Sequence, residues 1–101
     1  MDFLKEVNIS EETIDYLNSN INEQELNSMY LYVEDIESAI KYFQEIGVTV
    51  VENLLKYDFH IFMPGRETLE RAISKLDKQS FVSALNQDIR YIKILEKNEY
   101  V

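Results

Sequence analysis

Apolar residues in this 101-residue chain recur at steps of three and four, the spacing that gathers side chains on one face of an α-helix. Ile14 and Leu17 form the first such face. Ser10 stands before it, able to accept a bond from a free N–H of the first turn, and Glu11 and Glu12 suit the positive end of the helix dipole. Phe3, Leu4 and Val7 share a face just upstream, and Asn18-Ser19-Asn20 ends the segment. Asn22 caps the next helix, with Glu23 and Glu25 in its first turn and Leu26, Met29, Tyr30 and Val33 as its stripe. Ile36, Ala39, Ile40 and Phe43 repeat the spacing and Ile46 extends it. Residues 22–46 form either one long helix or two. No glycine or proline forces a break near Tyr32, yet Glu34-Asp35 has the character of a fresh helix start.

Gly47 is the best-placed stop, able to take the left-handed conformation that closes a helix while Val48 packs back on the last turn. Thr49 offers a cap for a short helix with Val50, Val51, Leu54 and Leu55 on its apolar face. Phe59 to Met63 is a short apolar piece that ends at the turn Pro64-Gly65. A helix follows from Arg66 to Leu76, with Leu69, Ala72, Ile73 and Leu76 inward. Asp77 or Ser80 caps the next, which carries Phe81, Val82 and Leu85; Asn86-Gln87-Asp88 reads as a loop or cap. Ile89, Ile92 and Leu95 make a last stripe, and the tail from Lys97 to Val101 is expected to fray.

The pattern predicts an all-α fold: a single compact domain over residues 1–101 of about six to eight short helices, arranged as an α-solenoid-like helical repeat or an irregular helical bundle. Leu54, Leu69, Ile73, Ile40 and Phe43 are its expected core. An internal repeat supports the solenoid. Val51 to Ile61 can be laid over Val82 to Ile92, so that Val51 meets Val82, Leu54 meets Leu85 and Ile61 meets Ile92. Thr13 to Leu17 is a looser third copy.

At these residues the chain resembles the helical repeats of the mitochondrial transcription termination factor family, in which a helix ends in Leu-Gly-hydrophobic, a short helix follows, and a proline corner leads to a third helix. Phe43 to Val48 is similar to the first piece, Val50 to Tyr57 to the second, and Phe59 to Phe62 lies at the corner. Leu69, Ile73 and Leu76 match the third helix, and Asn8 to Ile14 is similar to the entry of another repeat. Asp58 and Asp88 occupy the places of the corner proline. The resemblance implies the repeat architecture. It also implies nucleic-acid binding through a basic groove, which the acidity of this short chain argues against.

Composition narrows the functional classes. Hydrophobic residues make up 46% and charged residues 29%, a globular balance, with a net charge of −9. The charge is uneven: residues 1–62 hold 13 acids and 3 bases, the remainder 6 acids and 7 bases. No cysteine is present, which excludes thiolate chemistry and fits a reducing compartment. The start lacks the basic-then-apolar order of a signal peptide, and no apolar run reaches membrane-span length, so the expected location is the cytoplasm. The wealth of Ile, Asn, Lys and Glu hints at an AT-rich bacterial or phage genome.

Little in the sequence carries reaction chemistry. His60 is the only histidine; Asp58, two residues earlier, would not face it on a helix. The pairs Glu11 with Asp15, Glu34 with Glu37 and Glu67 with Glu70 share helix faces but lack the histidine of a helical di-metal site. No enzyme activity, cofactor or metal is expected. A protein-interaction module is, with Tyr30, Tyr32, Tyr42, Glu34, Asp35 and Glu37 as its contact surface and another protein, or a second copy, as partner. Two alternatives remain: acids of the first half imitating the phosphates of nucleic acid to block a DNA-binding protein, or direct nucleic-acid binding by a basic stripe of Arg71, Lys75 and Lys78 at i, i+4 and i+7.

Overall fold

The chain divides into short helices, some closed by a polar side chain or a glycine and others without either. In the computed structural model, which describes residues 1–97 (for Glu96 and Lys97 the backbone alone), these are α1 (Glu11–Asn20), α2 (Glu23–Leu31), α3 (Val33–Glu45), α4 (Val51–Asp58), α5 (Arg66–Ser74), α6 (Lys78–Gln87) and α7 (Ile94–Lys97). Three 3-10 helices, Asp2–Val7, Phe59–Phe62 and Ile89–Lys93, complete an all-α fold without strands among the described residues. The expectation for the tail beyond Lys97 falls outside them.

Several ends close as the sequence suggests. Ser10 Oγ accepts from the Thr13 N–H at 3.3 Å, and Asn22 and Glu25 form a reciprocal capping box at the start of α2. Gly47, at φ +99, closes α3 in a Schellman arrangement: its N–H reaches Gln44 O and the N–H of buried Val48 reaches Phe43 O. Other ends differ. Residues 22–46 form two helices, parted at Tyr32, whose φ of −115 and ψ of 27 leave the helical region. Thr49 caps nothing; its N–H is bound by the Asn86 side chain, and α4 begins after Val50. Asp77 stands at the cap of α6, but its carboxylate takes the Ser80 hydroxyl instead of a backbone N–H.

The short apolar piece at 59–62 is a 3-10 helix, as is 89–93, and both begin in the same way. Asp58 and Asp88 are extended, with φ of −167 and −153, and each carboxylate accepts the backbone N–H two residues on, from His60 at 3.1 Å and Arg90 at 3.0 Å. Each also holds the side chain of that residue: His60 Nδ1 at 2.8 Å and Arg90 Nη2 at 2.7 Å. The helical rule that separates i from i+2 fails because neither aspartate has helical φ and ψ. The Arg90 guanidinium, and then its N–H, hold the Asp88 carboxyl down to about 2.

These twin corners give the register of the repeat. Buried Ala39, Tyr42, Phe43, Val51, Leu55 and Phe62 correspond, each 30 residues on, to buried Leu69, Ala72, Ile73, Phe81, Leu85 and Ile92. Residues 36–65 and 66–95 are thus two consecutive copies without a spacer. The alignment of Val51 on Val82 and Leu54 on Leu85 is one residue out: matching identities drew it, whereas burial is what repeats. The looser copy at Thr13–Leu17 falls in α1, which leads into α2 without an aspartate-capped 3-10 turn.

The copies stack through α3 on α5, while α1 lies on α4 and the first 3-10 helix lies on α3. The result is a body of 36 × 23 × 21 Å with one continuous apolar core, solenoid-like in its neighbour-to-neighbour packing. All five expected core residues, Leu54, Leu69, Ile73, Ile40 and Phe43, are buried in it.

Two joints hold the stack. At the first, Gly65 precedes α5 at φ 87 and ψ 170, a region open almost only to glycine, and a Cβ there would lie 2.8 Å from Asp35 Oδ1. Gly65→Ala is expected to lower stability by about 1–3 kcal/mol, read as a lower urea midpoint at unchanged slope. At the second, Glu52 of α4 accepts the Ser10 N–H and both the Ser10 and Thr13 hydroxyls, the hydroxyls at 2.5 Å, and Thr13 is buried. Burial pushes the Glu52 carboxyl up, but the bonds from Ser10 and Thr13, with Lys56 nearby, outweigh it and leave it below its ordinary value. A lowered carboxyl pKa stabilises the fold above the unfolded value, about 4.3, and that contribution is lost as pH falls through the folded value. Glu52→Gln keeps an acceptor but removes the charge. Wild type is expected to exceed it in stability at pH 7, with the gap narrowing below about pH 4 in urea titrations of both proteins.

Candidate interaction surface

The corner between α2 and α3 follows from which residues these helices bury. Met29 and Ile36 point into the core, and the chain turns between them at Tyr32, so residues 30–32 occupy the outside of the bend. Leu31 is 80% exposed, Tyr30 51% and Tyr32 44%. The three also bound a shallow cavity of about 360 Å³ together with Val33, Glu34 and Asp35. Tyr30 is not loose: its ring meets the edge of Phe3 at 6.0 Å, and its hydroxyl accepts from the Met1 nitrogen at 2.9 Å.

Of the acids predicted for this surface, Glu34 and Asp35 line this cavity, and Glu37 follows about one turn later on α3. Glu34 and Asp35 are exposed in the first turn of α3, where they favour the positive helix end, and Glu37 is half-buried. None of the three forms an ion pair among the described residues. Tyr42 does not join them. It is only 4% exposed and lies beneath Arg66, whose guanidinium sits 5.3 Å from the ring centre and pairs with Glu45 at 2.8 Å and Glu70 at 2.5 Å. The reason is that α3 is covered on several sides, by α5, α4, α2 and two 3-10 helices, so its apolar face is wide enough to take in Tyr42 beside Phe43.

Leu31 is the residue the sequence reading missed. The signal was present: the stripe Leu26, Met29, Tyr30, Val33 passes over Leu31, and a leucine off the stripe of an amphipathic helix points to solvent.

The basic stripe is broken. Arg71 lies on α5, but that helix ends at Ser74; Lys75 follows its last turn and Lys78 opens α6. All three are exposed, without the shared helical face that the i, i+4, i+7 spacing implied. Arg71 instead bounds a depression with Asp35, Ser38 and Glu67.

His60 is exposed and stacked on Phe59 at 4.2 Å, with Asp58 as its hydrogen-bond partner. Among the described residues, no three His, Asp or Glu side chains come together to hold a metal ion, and no helix is long and apolar enough to cross a membrane. Comparison of the chain with protein-family models, curated proteins and solved structures finds no match.

Proposed function

We propose that this protein is a non-enzymatic interaction module of the cell interior that binds another protein through the α2–α3 corner. The observation that carries this reading is Leu31, a large aliphatic side chain 80% exposed between two exposed tyrosines. Exposing an isolated leucine costs a fold little. Three neighbouring large side chains at one bend form the kind of apolar patch that contacts use, and tyrosine is enriched at such contacts. Tyr30, braced by Phe3, loses little rotamer freedom when covered. Nucleic acid is not the partner in this reading, because 13 acids against 3 bases in residues 1–62 repel phosphate.

Affinity capture from native lysate with wild type and Leu31→Asp tests the reading. Leu31→Asp is expected to change stability by less than about 0.5 kcal/mol, as for other surface sites, and to lose a partner that wild type retains. Repeated recovery of nothing by monodisperse wild type, or equal recovery by both proteins, would sink the proposal.

A further inference from the structure

Resting on the reading of the corner as a protein contact, we infer that its partner presents a cationic amphipathic surface: an apolar centre that receives Leu31, flanked by lysine or arginine that pair with Glu34, Asp35 and Glu37. The centre must be apolar because Leu31 is, among the described residues, the most exposed large hydrophobic side chain and offers no hydrogen bond. The flank must be cationic for a different reason. Glu34 and Asp35 are exposed, Glu37 is half-buried, and none is ion-paired among the described residues. A neutral surface laid over them would strip their water and return nothing, whereas a basic one replaces water with charge-assisted hydrogen bonds.

The wider field points the same way. The corner belongs to the part of the chain with 13 acids and 3 bases, so a cationic surface is drawn toward it and an anionic one turned away. A second copy fits less well. It brings its own net charge of −9, and its exposed bases Arg71, Lys75 and Lys78 are divided between α5, the turn after it and α6.

The probe is a synthetic amphipathic helix with leucines on one face and lysines on the other, beside a twin with glutamates for lysines, each titrated with the full chain by fluorescence anisotropy. The lysine peptide is expected to bind, more weakly as salt rises, and the glutamate twin not to bind. Leu31→Asp and the double variant Glu34→Lys/Glu37→Lys are each expected to weaken binding about tenfold or more. Glu12→Lys/Asp15→Lys, the same charge change placed on α1, should leave it within about twofold. Equal weakening by the α1 variant would show diffuse charge attraction and overturn the inference. So would equal binding of the twin, or a dimer in sedimentation equilibrium that Leu31→Asp dissociates. If the lysine peptide does not bind while a lysate partner is still lost with Leu31→Asp, the cationic partner is wrong and the corner stands. If neither peptide nor lysate partner is lost with Leu31→Asp, both fall.

Discussion

Phe43→Ala is expected to lower the unfolding free energy by about 3–5 kcal/mol, the range for emptying a buried phenylalanine site. Phe43 is fully buried on α3, the helix against which α5, α4, α2 and two 3-10 helices pack. Its ring meets Phe62 edge-on at 5.3 Å and Tyr42 at 6.3 Å, so truncation removes two aromatic contacts as well as area. Against a total of about 5–15 kcal/mol for a domain of ordinary stability, the loss would leave a substantial unfolded population at physiological temperature. Urea unfolding followed by circular dichroism measures it, and Phe43→Leu, which keeps most of the volume, should lose clearly less. A loss under about 1 kcal/mol, the typical value for any substitution, would mean that α3 is not the centre of the core.

Leu54→Ala is expected to be next, at about 2–5 kcal/mol. Leu54 is fully buried on α4, the helix that carries both α1 and the second 3-10 helix. Its value lies in the contrast with Leu31, the same residue type placed at the bend. Leu31→Ala should stay within about 0.5 kcal/mol. A loss at Leu54 as small as that would remove it from the core, and with it the packing of the N-terminal helix on the first repeat.

Much of the fold was legible because helices declare themselves through spacing and caps. Ser10, Asn22 and Gly47 close helix ends as their chemistry suggests. The residues named for the core are buried, since each falls on a stripe of threes and fours. What escaped did so for identifiable reasons. A 3-10 helix of four or five residues is too short to show a period of its own, so the apolar residues after Asp58 and Asp88 did not reveal the corners there. Their shared signal was an aspartate two residues before a side chain with a nitrogen that reaches back to it, His60 and Arg90. The end of α5 at Ser74 carried no glycine, and Leu76 extended the stripe past it, which placed Lys78 on a helix it does not belong to.

The candidate surface was half legible. Tyr30, Tyr32, Glu34 and Asp35 lie where exposed residues were expected, but Tyr42 and Leu31 exchange roles. Tyr42 is taken inward beside Phe43 because α3 is covered from several directions, which its own sequence does not state. Leu31 faces outward off the apolar stripe of α2, and the bend at Tyr32 that follows it is marked by no glycine or proline.

The two copies meet at Gly65 and Arg66 with no spacer, and the main contact between them runs from α3 to α5, the next helix but one. Few pieces of chain must travel far to find their partners, so little loop-closure entropy stands before the first favourable contacts. Chains of this kind reach the native state in microseconds to milliseconds. For such a molecule the time spent with its apolar surfaces uncovered is short, and adding or removing one whole copy would change how stable the stack is far more than how fast it forms.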